Sequence, residues 1–125
     1  MAYAIDFPDS ELRDVAQEGA LVRLRLSAAA ARNDAGERGW LSSVTLEISH
    51  ASLQSNSPHR FGKIREAWLG QGGQRISQLQ VPGTLTGDIS LALRLANDTR
   101  IIIGQGTALE ALLDADVRFQ EDFSC

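Results

Sequence analysis

Apolar and polar residues alternate one by one along much of this chain, most regularly from Leu85 to Asn97. Leu85, Ile89, Leu91, Leu93 and Leu95 fall on odd positions, with Gly87 completing the row. Thr84, Thr86, Asp88, Ser90, Ala92, Arg94 and Ala96 fall on even ones. Successive side chains of a strand point to opposite faces, so this spacing predicts a long strand with one oily and one wet side. Asn97-Asp98 separates it from Arg100-Ile101-Ile102-Ile103. Both turn residues tolerate positive φ, which predicts a tight two-residue hairpin.

Other segments repeat the pattern. Between Ala20 and Ala28, Val22, Leu24, Leu26 and Ala28 share a face, opposite Leu21, Arg23, Arg25 and Ser27. From Trp40 to His50, Trp40, Val44, Leu46 and Ile48 group together, with Ser43, Thr45, Glu47 and Ser49 outward. In Gly62–Leu69, Ile64, Glu66 and Trp68 share one side and Lys63, Arg65, Ala67 and Leu69 the other. Arg75–Val81 is the weakest strand, with Leu79 and Val81 opposed to Ile76.

Turn chemistry separates the runs. Gly36 and Gly39 precede the Trp40 strand, and Asn56-Ser57-Pro58 the Gly62 strand. Gly70-Gln71-Gly72-Gly73 suits a hairpin loop, Pro82-Gly83 a type II turn, and Gly104-Gln105-Gly106 the end of the isoleucine strand. No segment between strands is long enough for a crossover helix, which excludes a parallel sheet.

The ends are open to two readings. Asp9–Val15 fits a short capped helix or an edge strand turning at Glu18-Gly19. Thr107–Glu110 has capping-box spacing, with Leu109, Leu112 and Leu113 on one helical face, but could also continue the sheet. The alanine-rich Ala28–Asp34 stretch suits one helical turn. The fold expected is mainly β: a single antiparallel β-sandwich, roll or barrel-like domain over residues 1–125. It should have six to eight strands and short helical turns near the termini. The expected core is Val22, Leu24, Leu26, Trp40, Val44, Leu46, Ile48, Ile64, Trp68, Ile89, Leu91, Leu93, Leu95, Ile101 and Ile103.

Composition narrows the class without naming a function. At 125 residues, 43% hydrophobic and 22% charged, the chain can bury a core unaided. Its single cysteine, Cys125, permits no internal disulfide and no C-x-x-C pair. Met1–Pro8 has neither a basic nor an apolar leader region, and no apolar run approaches the ~20 residues of a membrane helix. A soluble cytoplasmic protein with no membrane partner is expected.

The net charge of −4 is unevenly spread. Residues 1–18 carry five acids against Arg13, and residues 108–125 carry five against Arg118. The span between has ten bases and six acids, a net +4 between two segments of −4. The simplest expectation is that the acidic ends lie beside the basic body and neutralise it.

Arg23, Arg25, Lys63, Arg65, Arg75 and Arg94 fall on the wet faces of predicted strands. If these strands are neighbours, they form a cationic face for a small anionic ligand or an acidic protein partner. A pI near 5.1 and only 6% aromatic residues argue against nucleic acid. A non-catalytic binding or interaction module, using this face or a sheet edge, is therefore the leading expectation.

A small hydrolase- or isomerase-like enzyme is the alternative, with His50, His59 and Glu66 in one pocket; Glu66 is its most suggestive member, being placed on an apolar face. A third reading puts a small apolar ligand inside a barrel. The histidine spacing fits no metal motif, and Asp114, Asp116, Glu121 and Asp122 do not follow an EF-hand. The glycine loops lack the phosphate-binding fingerprints, so no cofactor and no metal is expected. Arg100–Ile103 lacks alternation, so both its faces should be covered, the outer one by Leu109, Leu112, Leu113 and Phe119 or by a second copy in a homodimer.

Overall fold

The alternation is realised as strand in the computed structural model, which describes residues 2–121. Strand makes up 73% of the described residues, and none of them is helical. Cys125, and Asp122 of the acidic C-terminal group, lie outside the described residues. The strands are β1 (Tyr3–Glu18), β2 (Leu21–Arg32), β3 (Arg38–Leu41), β4 (Val44–Ser49), β5 (Ser52–Ser55), β6 (Gly62–Gln71), β7 (Gln74–Ile76), β8 (Leu79–Val81), β9 (Gly83–Leu95), β10 (Arg100–Leu113) and β11 (Phe119–Glu121).

Six of them close an antiparallel barrel in the order β1-β2-β4-β10-β9-β6 and back to β1. Closure leaves these strands no bare edge. The first half of β1 and the second half of β2 leave the ring and continue as an open sheet. There Tyr3–Ile5 pairs with β8, Ala29–Arg32 pairs with β3, and β3 pairs with β11. The molecule is thus a barrel with a five-stranded extension, and β1 and β2 belong to both parts.

The barrel interior is filled by side chains. Leu24, Leu46, Ile48, Ile64, Ile89, Leu91 and Leu95 are buried on its axis-facing side. Eight strands leave an interior just wide enough for side chains or one small ligand, so six leave less. Gly106 points inward at the tightest place. A Cβ there would lie 2.5 Å from Ile48 Cγ2 and 3.1 Å from the Ile89 carbonyl oxygen, so no larger residue fits without displacement.

Several strands change faces part-way, because a bulge shifts the two-residue register by one. In β1 the buried residues pass from Tyr3, Ile5 and Phe7 to Ser10 and Leu12, then to Val15. Asp9, with φ 72°, makes the first switch. Ser10 closes the gap it leaves in the ladder: its buried hydroxyl donates to the Asp6 carbonyl at 2.7 Å and accepts from the Ala30 N–H at 2.9 Å. In β2 the buried set moves from Val22, Leu24 and Leu26 to Ala29 and Ala31, so Ala28, which shares parity with Val22, is only half-buried.

The expected helical turns are absent. Asp9–Val15 lies within β1, the alanine run belongs to β2, and Thr107–Leu113 continues β10. Gly104-Gln105-Gly106 does not end the isoleucine strand but forms a bulge inside it, with Gln105 at φ 64°. Gly72 and Gly73, both at positive φ, make the expected hairpin turn between β6 and β7.

The β9–β10 hairpin has a three-residue loop rather than two. Asp98 donates to the Leu95 carbonyl, Leu95 donates to the Thr99 carbonyl, and Asp98 takes the left-handed conformation at φ 66°. At Pro82 the Val81–Pro82 peptide is cis and Gly83 does not have positive φ, so the expected type II turn is not formed. The described residues form eleven strands against the six to eight expected, partly because Trp40–His50 and Arg75–Val81 are each divided, into β3 and β4 and into β7 and β8.

Candidate functional site

The six cationic residues do not form one face. Arg23 on β2 is engaged on both flanks, by Glu47 of β4 at 2.9 Å and Glu18 of β1 at 3.0 Å. The Glu47 hydrogen bond, followed by the Glu18 charge, raises its pKa above the ordinary value. Arg25 lies two residues along in a shallow basin shared with Arg13, Ser43, Thr45, Asp114 and Asp116. There the Asp114 carboxylate accepts hydrogen bonds from the Ser43 and Thr45 hydroxyls. The basin thus holds both signs of charge.

On β6, Lys63 meets Asp9 at 3.3 Å, and Arg65 sits at a bulge between Ile64 and Glu66. Arg94 on β9 is shared between Glu66 at 3.7 Å and Asp98 at 3.2 Å. The Glu18 and Asp9 contacts bear out, for the N-terminal segment, the expectation that acidic ends neutralise the basic body.

Two core expectations fail for the same reason. The bulge at Arg65 reverses the faces of β6, so Ile64 stays inside while Glu66 and Trp68 turn outward. The Glu66 side chain is 45% exposed and Trp68 is 46% exposed. At Ser42-Ser43 the chain breaks between β3 and β4, with Ser42 bonded to Arg118 through its N–H and its hydroxyl. Leu41 rather than Trp40 faces the core in consequence, and Trp40 is half-buried on the other side of β3.

His50, His59 and Glu66 do not converge. The His50 ring meets Thr107 Oγ1 at 2.9 Å, whereas the His59 carbonyl accepts from Thr99 Oγ1 at 3.1 Å. Thr99 and Thr107 are eight residues apart along one extended stretch, which spans roughly 25 Å at a strand's rise per residue. Glu66 belongs to the Arg94 pair on the outer wall. Among the described residues, no three His, Cys, Asp or Glu side chains gather to hold a metal ion.

An enclosed depression lies where the open sheet leaves the barrel. It is a cleft of about 320 Å³ between β1, β2 and β3 on one side and the β6–β7 hairpin on the other. Phe7, Pro8, Trp40, Leu69 and Ile76 supply its apolar lining, and Asp6, Asp9, Arg38, Arg75 and Ser77 its polar groups. Each charged group has a definite status. Asp9 is held by Lys63, and Asp6 accepts a hydrogen bond from Gln78 Nε2 at 3.2 Å. Arg75 is anchored by donation to the Ala67 carbonyl at 3.4 Å.

Neither Arg38 nor Arg75 has a carboxylate partner among the described residues. Arg38 also stands directly opposite Arg32 on β2, a like-charge pair across two strands. Such a pair is unfavourable unless an anion or solvent screens it.

Of the predicted cationic residues only Arg75 belongs to this cleft. Sequence reasoning missed Arg38 and Phe7, and assigned Trp40 to the core. The signal for two of them was present: Arg38 and Trp40 share parity in a four-residue strand bounded by Gly36 and Ser42-Ser43. No protein-family model, curated protein or solved structure matches this chain, so the site stands on its own geometry.

Proposed function

We propose that the protein is a binding module whose cleft takes a small anionic ligand with a flat apolar portion. The observation that carries this reading is the charge state of the cleft. Of its two carboxylates, Asp9 is paired with Lys63 and Asp6 is hydrogen-bonded to Gln78, while neither guanidinium has a carboxylate partner among the described residues. A guanidinium presents a planar fork of donors that matches carboxylate or phosphate, and Trp40 and Phe7 offer apolar surface for a ring beside it. A volume of about 320 Å³ lies at the small end of ligand sites, which suits a ligand of one or two rings. Arg32, opposite Arg38, adds positive potential at the rim.

The test uses the protein's own fluorescence. The chain has two tryptophans, so Trp68→Phe leaves Trp40 as the sole reporter. Titration with phenyl phosphate or benzoate should change Trp40 emission saturably, and benzyl alcohol should bind at least about tenfold more weakly. Arg38→Ser and Arg75→Ser should each weaken anion binding by about tenfold or more, as loss of a charged hydrogen bond does. An unsaturable response, or one that both arginine variants leave unchanged, would refute the reading.

A further inference from the structure

On the outer wall of the barrel, Trp68, Ala92 and Ile102 stand side by side on β6, β9 and β10. Trp68 is register partner to Ala92, and Ala92 to Ile102. Trp68 is 46% and Ile102 51% exposed, with Ala92 lower between them. The covering expected for Ile102 is therefore not supplied by the described residues: Leu109 is spent inside the barrel, and Phe119 stacks on Tyr3 at 5.2 Å. Grooves of about 290 and 300 Å³ run on either side of the indole. Two residues along, the same three strands present a second outward row, Glu66, Arg94 and Arg100. Arg100 has no carboxylate partner among the described residues.

We infer that this wall is an interface between two copies of the chain, packed face to face about a two-fold axis running along β9. Such an axis exchanges β6 with β10 and leaves β9 central. Trp68 of each copy then lies over Ile102 of the other, and the small Ala92 residues meet in the middle, where the bulky groups on either side have room to interlock. In the charged row, Glu66 of each copy meets Arg100 of the other. Arg94 faces its own counterpart, but each is offset by Asp98 of its own copy at 3.2 Å.

Charge complementarity selects this occupant. An acidic segment would be repelled by Glu66, and a neutral one would leave Arg100 unmatched. A second copy matches both, as an isologous contact requires. An axis across the strands instead would set the charged row against Gly70 and Ser90, which carry nothing to pair with it.

Three strands and two or three rows cover only a few hundred Å² per copy, less than the ~800 Å² of a standard stable interface. Association is accordingly weak and concentration-dependent. Sedimentation equilibrium from about 10 μM to about 1 mM should follow the mass from 13.5 kDa towards twice that value. Trp68→Ser, and independently Ile102→Ser, should raise the dissociation constant at least about 30-fold, as loss of a central anchor does.

Glu66→Arg and Arg100→Glu should each weaken association by about tenfold when alone, because like charges then face each other. Mixing these two variants should restore it, since in the mixed pair every altered charge meets its opposite. Should a wall variant fail to fold by circular dichroism, the mixing experiment decides. A mass fixed at that of one chain throughout, association untouched by Trp68→Ser and Ile102→Ser, or a mixture no tighter than its components would each overturn the inference.

Discussion

The closed barrel and the open sheet are built from two of the same strands, yet they are held together differently. In the barrel every strand has two neighbours and the interior is large aliphatic side chains: Leu24, Leu46, Ile48, Leu91 and Leu95 are fully buried. In the open sheet β8 and β11 are three-residue edges, and although Ile5, Leu41 and Val81 are buried there too, β2 contributes only Ala29 and Ala31. Burial stabilises in proportion to apolar area, so an alanine contributes a fraction of what a leucine does. With its three-residue edges, the sheet should open before the barrel. The cleft lies on their seam, one wall from each. A ligand there would join a fixed surface to a yielding one.

The largest effect should come from the barrel. Leu46→Ala removes most of a fully buried side chain and should lower the unfolding free energy by about 2–5 kcal/mol in urea titration. Gly106→Ala should cost roughly 1–3 kcal/mol, because the added methyl collides with Ile48 and the Ile89 carbonyl. If either change left the midpoint where it was, the interior would not be as tightly filled as described.

Smaller and more local is the effect of Phe119→Ala. It removes the stack on Tyr3 and should promote opening of β11 and β3 by about 1 kcal/mol, seen as faster amide exchange there. Amide exchange in β4 and β9 should be unchanged. An equal acceleration in both regions would erase the distinction between them.

The smallest effect is a pH dependence at the free end of the open sheet. Asn33 first, then Glu121, holds the Glu37 carboxyl below its ordinary pKa, while the Glu37 hydrogen bond and charge push that of Glu121 up. A raised carboxyl pKa stabilises the fold while the group is protonated, and that contribution is lost as pH rises through the raised value. The lowered pKa of Glu37 acts in the opposite sense, its contribution being lost as pH falls through the lowered value. Docking of β11 should therefore be firmest between the two and loosen towards neutral pH. Glu121→Gln should abolish the loosening, as read by amide exchange of β3 and β11 across that range.

How much of this was legible in the residues depended on unbroken alternation. The β9 strand and the inward sets of β2 and β4 follow parity for several residues, and Val22, Leu24, Leu26, Leu46, Ile48, Leu91, Leu93 and Leu95 are buried as their spacing predicts. Parity fails wherever a residue is inserted in the ladder. Asp9 in β1, the irregularity near Ala28 in β2, Ser42-Ser43 after β3 and Arg65 in β6 each reverse the faces beyond them.

Those reversals turned both tryptophans out of the expected core. The reversals at Asp9 and near Ala28 lie where β1 and β2 leave the barrel beside the cleft, since a bulge re-aims side chains and bends the strand together. Trp40 of the cleft was thus hidden by a distortion of the same kind as those that shape it. Arg38 and Trp40 could be recovered only by treating Ser42-Ser43 as a break.

The most direct test of the seam is residue-resolved hydrogen exchange with and without saturating phenyl phosphate. Ala30, Ala31, Gly39 and Trp40 should exchange well before Leu46 and Leu91 in the free protein, and should slow markedly once the anion is bound. Uniform exchange across both regions, or open-sheet amides indifferent to the anion, would contradict the account.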